Sequence, residues 1–124
     1  MRSRDDDGSV VVEYALLTVA VFALIFLGMQ VALYAYARSV ALTAAQEAVD
    51  AQRAYGASDA VGHDRAEAIV AAQGDVLGDP TIVVTTDGNS VTATVTGISI
   101  SLFPGTSGFT VRQTATAPIE GFHP

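Results

Sequence analysis

Residues 8–37 read GSVVVEYALLTVAVFALIFLGMQVALYAYA, and this stretch decides how the chain folds. Its last 24 residues, Tyr14–Ala37, carry no charge, and apart from the tyrosines only Thr18 and Gln30 are polar. About 20 apolar helical residues cross a bilayer core of roughly 30 Å. We therefore predict a membrane span over Tyr14–Ala37. A buried core helix is the alternative, but no other segment is apolar enough to surround one.

The composition of the chain excludes several classes of protein. A chain of 124 residues forms one small domain at most. The formal net charge is −7 and there is no lysine, which argues against binding to nucleic acid or to an anionic membrane surface through charge. There is no cysteine, so disulfides, thiolate zinc sites and thiol chemistry are excluded.

Arginines on either side of the apolar stretch predict its orientation. Arg2 and Arg4 precede the stretch and Arg38 follows it. Because positive residues near a span favour the cytoplasmic side, we predict a cytoplasmic N-terminus, a single pass through the inner membrane and an extracytoplasmic C-terminal domain. Tyr34 and Tyr36 would then lie in the aromatic belt of the outer leaflet.

Three ways of processing this N-terminus are open. Residues 35–37 (Ala-Tyr-Ala) fit the cleavage pattern of a secretory signal, but the apolar stretch exceeds the 7–15 residues of a signal h-region. Residues 5–7 are three aspartates where a signal peptide should be basic. An uncleaved signal anchor is the second possibility. The third depends on Glu13, because a carboxylate at the entrance to an apolar helix is costly and usually marks a function or a partner.

The residues around Glu13 carry a family resemblance. A short hydrophilic leader ends at Gly8, Ser9 and three valines follow, and Glu13-Tyr14 opens the apolar run. This pattern resembles the type IV pilin-like proteins of the Flp/Tad group, and with the Ala/Arg-rich and Thr-rich regions that follow it resembles TadE-like pseudopilins over nearly the whole chain. The leader is less basic than in a typical prepilin, and the chain is too long for a major Flp pilin.

The resemblance implies a function and a set of partners. A prepilin peptidase would cut after Gly8, leaving Ser9 as the mature N-terminus, and Glu13, beside Tyr14, would pair with the new N-terminal amine. The protein would be a non-catalytic minor pilin acting in assembly of a Tad/Flp pilus or a related secretion apparatus. Its partners would be the peptidase, other pilins or pseudopilins through the N-terminal helix, the inner-membrane assembly platform and membrane lipid. No nucleic acid, cofactor, metal or small-molecule substrate is expected.

Beyond the span, the spacing of apolar residues predicts further helix and then strands. Alanines and valines at helical spacing predict one helix continuing from about residue 10 to residue 55. Asp64 and Glu67 predict a capping box that starts a second helix, which Gly78-Asp79-Pro80 would end. The expected units are a leader (1–8), a transmembrane and assembly helix (9–37), an extracytoplasmic helical region (38–79) and a small antiparallel β domain (80–124).

The C-terminal residues alternate between apolar and polar types. From Thr81 onward, valine and isoleucine alternate with threonine, and the tight-turn sequence 87–90 (Asp-Gly-Asn-Ser) interrupts the pattern. A second break at Pro104-Gly105 precedes another alternating run. This predicts a three-stranded antiparallel meander with a Thr-rich face toward water and an aliphatic face on a helix. The fold class predicted is therefore α+β.

Few residues are candidates for chemistry. The two histidines, His63 and His123, have no second histidine or cysteine at a metal-ligand spacing. The turn at 87–90 lacks the twelve-residue ligand pattern of a calcium loop. We therefore expect no enzyme. The alternative to a pilus protein is a single-pass membrane-anchored or secreted small binding module unrelated to pili.

Overall fold

The computed structural model describes residues 4–53, 60–103 and 105–119. Its fold is α+β, as predicted, with two helices followed by a three-stranded antiparallel sheet. The elements in chain order are α1 (Arg4–Gln52), α2 (Val61–Ala72), a 3-10 turn (Gly74–Val76), β1 (Leu77–Thr86), β2 (Ser90–Ser99) and β3 (Thr110–Pro118).

Helix α1 runs without interruption from the apolar stretch into the core of the domain. Its 49 residues extend over about 74 Å at 1.5 Å per residue. The predicted continuation beyond the span is confirmed, although the helix ends at Gln52 and the predicted end at residue 55 lies outside the described residues. In its C-terminal half one face is buried, and most of the buried residues on it are small: Ala37, Ala41, Ala44, Ala45, Ala48 and Val49. Small side chains at helical spacing let α2 and the sheet approach the helix closely.

Helix α2 begins one turn earlier than predicted, and the predicted capping box is wrong. Ala60 occupies the N-cap without a side-chain hydrogen bond, and Asp64 lies inside the first turn. The extra turn brings Gly62 against α1, where its N–H donates to the side-chain oxygen of Gln52 over 2.8 Å. A β-carbon on Gly62 would lie 2.6 Å from the carbonyl oxygen of Ala48, so the helix crossing requires glycine there.

The first strand also begins earlier than predicted. Helix α2 ends at Ala72 and β1 starts at Leu77, so Gly78-Asp79-Pro80 lies within the strand and does not end a helix. The pairing of β1 with β2 shifts between Gly78 and Thr81, and Asp79 has a positive φ of 44°. A bulge of this kind on an edge strand accommodates a proline, which cannot donate a ladder hydrogen bond.

The sheet has the order β1-β2-β3 and the two faces that the alternation predicts. Buried side chains lie on the face toward α1: Val91, Ala93, Val95 and Val111. On the opposite face Thr92 lies 3.1 Å from Thr116 and Thr94 lies 3.2 Å from Thr114, hydroxyl to hydroxyl. The predicted hairpin turn at 87–90 is confirmed, and it forms without positive φ at either central residue.

Candidate membrane and assembly helix

The N-terminal half of α1 is bare. Every residue from Gly8 to Met29 is exposed, including Leu24, which keeps 68% of its surface accessible, and the first buried residue is Gln30. The exposed stretch Val10–Met29, which is apolar except for Glu13, Tyr14 and Thr18, contains 20 residues, which is about 30 Å of helix. This is the thickness of a bilayer core. By length and composition the helix could span a membrane, consistent with membrane anchoring.

The predicted processing site lies near the start of this bare segment. Gly8 and Ser9 are exposed and helical, and no atom lies within 4 Å of the position that a β-carbon on Gly8 would occupy. Glycine makes a helix locally less stable by about 1 kcal/mol relative to alanine. The backbone at Gly8 is therefore both open to approach and easier to unwind than its neighbours.

Glu13 and Tyr14 lie one turn further along. Both are exposed, and they share a shallow groove with Val10 and Leu17, the positions that meet on one helix face. Among the described side chains, none forms an ion pair with Glu13. Ser9 is four residues before Glu13 and so lies on the same face, with β-carbons about 6 Å apart in a regular helix. A charge carried by Ser9 would therefore lie next to this carboxylate.

Gln30 is the residue that sequence reasoning missed. In the sequence it stands out only as a polar interruption of the span, yet its side-chain amide forms two hydrogen bonds to the loop after β2. Nε2 donates to the carbonyl oxygen of Ile100 over 2.7 Å, and Oε1 accepts from the N–H of Leu102 over 2.9 Å. The globular domain therefore begins at Gln30, inside the segment Tyr14–Ala37 that was predicted to span the membrane.

The two tyrosines near the end of the span have different surroundings. Tyr34 is half-buried, and its ring meets that of Phe109 edge to face with 5.9 Å between the ring centres. The guanidinium carbon of Arg38 lies 5.9 Å from the centre of the same ring. Tyr36 keeps 48% of its surface exposed and donates from its hydroxyl to the side-chain oxygen of Gln73 over 2.5 Å. Both tyrosines therefore contact the domain, and Tyr36 is the more exposed of the two.

The titratable residues of α2 form a loose surface cluster. The Nδ1 atom of His63 lies 3.6 Å from a carboxylate oxygen of Glu67 and 3.9 Å from one of Asp64. All three side chains are largely accessible to solvent, and exposed acidic groups of this kind are common at protein surfaces. Nothing in their arrangement distinguishes them from a solvated helix face. The second histidine, His123, lies outside the described residues.

The structure thus defines a class of protein in which one long helix is bare and apolar over its first half and forms the core of a small α+β domain over its second half. The profile of the family described as TadE-like protein matches residues 8–50, from the glycine of the predicted processing site almost to the end of α1. The resemblance to TadE-like proteins is therefore confirmed over that helix, and the family indicates a protein associated with the Tad pilus. No curated protein and no solved structure gives a significant match.

Proposed function

We propose that this chain is a non-catalytic pseudopilin, or minor pilin, which acts in assembly of a Tad/Flp-type pilus or a related secretion apparatus after a prepilin peptidase cuts it behind Gly8. The observation that carries the proposal is the combination of Gly8, Glu13 and Tyr14 with a helix that has no covering from Gly8 to Met29. A bare helix of this length needs lipid or other helices around it, because its apolar surface is unfavourable in water.

Cleavage after Gly8 would leave the structural core unchanged. The leader, residues 1–8, comes before Gln30, which is the first buried residue among those whose burial the structure describes. The competing cut after Ala37 would separate Gln30 and Tyr34 from the loop that they contact. It would also fall within α1, next to a side chain with no exposed surface. These contacts favour retention of the apolar helix.

Glu13 would allow the processed helix to form an ion pair, either within the same subunit or with a neighbouring one. A carboxylate in lipid is costly unless a cation accompanies it, and none of the described side chains supplies one. Cleavage would create an ammonium group at Ser9, on the same helix face. The amine of the same subunit or of an adjacent one would then neutralise Glu13, so incorporation into a helix bundle would depend on processing.

The remaining roles follow from this arrangement. The N-terminus would lie in the cytoplasm until processing, and the α+β domain would lie outside the inner membrane. The helix would contact other pilins or pseudopilins and the assembly platform, and the domain would contribute no catalytic chemistry.

Mass spectrometry of the N-terminus, on protein isolated from its native membrane, tests the proposal. A mature chain starting at Ser9 is the expected result. A chain starting at Arg38 would make this a released domain, and a chain with its leader retained would contradict processing by a prepilin peptidase.

A further inference from the structure

The loop between β2 and β3 (residues 100–109, the tip loop) lies against the bare helix. Gln30 holds the start of this loop through its bonds to Ile100 and Leu102. Phe103 then lines one cleft together with Leu27. Leu27 is three residues before Gln30, about 4.5 Å further toward the N-terminus. The loop therefore lies beside Leu27, on the N-terminal side of Gln30, which is the first buried residue of α1.

The depth of that segment in a bilayer places the loop at the lipid surface. If the hydrocarbon core begins at Val10, 20 residues bring its far boundary to Met29; if it begins at Tyr14, they bring it to Leu33. In either case Leu27 lies within the core, whereas Gln30 lies one residue beyond the boundary in the first case and inside it in the second. The part of the tip loop beside Leu27 must then enter the membrane or displace lipid from it.

The chemistry of the loop suits this position. Its sequence, ISLFPGTSGF, contains no charged residue, and its two phenylalanines point outward, Phe103 with 48% and Phe109 with 62% of the surface exposed. Phenylalanine is among the residues that interfacial segments bury at the boundary between headgroups and acyl chains.

Several polar groups of the loop form hydrogen bonds within it or to its base. The hydroxyls of Ser101 and Thr106 lie 2.8 Å apart, and Thr106 also donates to the carbonyl oxygen of Phe103 over 2.7 Å. At the base of the loop, the side-chain oxygen of Ser99 accepts from the N–H of Phe109 over 3.0 Å. Because unpaired polar groups are what makes irregular backbone costly in lipid, these bonds lower the cost of immersing the loop.

The residues on this side of the molecule are also ordered by polarity. Leu27, Tyr34 and Arg38 follow one another along α1. Phe103 shares a cleft with Leu27, the Phe109 ring meets that of Tyr34, and the Arg38 guanidinium lies over the Tyr34 ring. Apolar, aromatic and cationic groups in this order match the hydrocarbon, interface and headgroup layers of a bilayer.

We propose that the tip loop is a second membrane contact, in which Phe103 and Phe109 insert into the outer interface of the bilayer beside the span. This rests on the proposed membrane anchoring by α1. The domain would then be held against the membrane at a fixed rotation about the helix, and would leave the lipid only when the helix leaves it.

The absence of tryptophan from the chain provides a clean test. Phe103→Trp introduces a single fluorophore in the tip loop, and Phe22→Trp introduces one in the span. Val83→Trp introduces one at an exposed position of strand β1, as a control in the sheet. Each full-length variant is reconstituted into phosphatidylcholine vesicles in which some lipids carry bromine near the top of the acyl chains and others carry it near their ends. Phe109→Trp serves as a second reporter should Phe103→Trp perturb the loop.

Severalfold stronger bromine quenching at Phe103→Trp than at Val83→Trp, with Phe22→Trp also quenched, is the expected result. Quenching at Phe22→Trp with equal, weak quenching at Phe103→Trp, Phe109→Trp and Val83→Trp would overturn the loop contact and leave the anchor standing. No quenching at Phe22→Trp would overturn both. Quenching at the tip that disappears as the protein-to-lipid ratio is raised would show that a second copy covers the cleft, and would also overturn the proposal.

Discussion

The side chain of Gln30 is joined to the backbone of Ile100 across 70 residues of sequence, by a hydrogen bond of 2.7 Å. Because the same amide also accepts from Leu102, one residue of the apolar helix fixes both sides of a bend in the loop. This pair of bonds sets where the globular domain begins along α1, and therefore how much of the helix remains exposed.

Replacing Gln30 with leucine should detach the loop. The substitution removes both side-chain bonds and leaves a carbonyl and an N–H of the loop without partners, each at a cost of about 1–3 kcal/mol. We expect a lower free energy of unfolding in detergent and faster hydrogen exchange at the Leu102 amide. Gln46→Leu, at an exposed position of the same helix, is the matched control. Equal stability and equal exchange in the two variants would show that the pair of bonds does not hold the loop.

Helix packing depends on a second close contact, at Gly62. A β-carbon there would meet the carbonyl oxygen of Ala48 at 2.6 Å and the β-carbon of Gln52 at 2.9 Å. Gly62→Ala should therefore push α2 away from α1 and lower the free energy of unfolding by about 1–3 kcal/mol, measured by chemical denaturation. Gly88→Ala, where nothing lies within 4 Å and φ is not positive, should leave it nearly unchanged. A Gly62→Ala protein as stable as this control would mean that the helices can shift without cost.

Local patterns predicted the strands better than the helix boundaries. Strict alternation in residues 91–95 was enough to predict both strand and buried face, because a strand has a period of two wherever it pairs. Asp64 with Glu67 also looked like a helix start, but burial of Gly62 against α1 extended the helix upstream. Packing of one element on another overrode the local capping signal, as it commonly does for propensity.

The long apolar helix was predictable and its junction with the domain was not. Length and composition alone identified the apolar helix. The role of Gln30 could not be deduced, because its partners are backbone atoms of a loop whose position depends on the whole sheet. A single amide inside an otherwise apolar run was the available signal, since such a group needs a hydrogen-bonding partner when it is buried.

Removal of the leader should depend on the glycine at position 8 and not on Gly28, the other glycine of α1. Gly8→Val places a branched side chain at the predicted cleavage site, and we expect the leader to be retained in native membranes. Gly28→Val is the matched control, since neither glycine has a neighbouring atom within 4 Å and both changes add the same side chain to α1. The N-terminal mass of each variant is the measurement. Loss of the leader from Gly8→Val would rule out a peptidase that requires glycine there.

Glu13 should matter for assembly and not for insertion. Glu13→Gln removes the charge while keeping nearly the same shape, so the apolar helix should still enter the membrane and resist alkaline extraction as the wild type does. Incorporation into assemblies, measured by crosslinking to neighbouring subunits, should fall about tenfold for each 1.4 kcal/mol of pairing free energy that is lost.

Glu67→Gln, which removes an exposed carboxylate of the domain, should assemble normally. Glu13→Asp keeps the charge and should restore part of the incorporation, as a pairing role requires. If Glu13→Gln and Glu67→Gln assembled equally well, the carboxylate would have no partner in the assembly, and its position at the start of α1 would be explained by the positive end of the helix dipole alone.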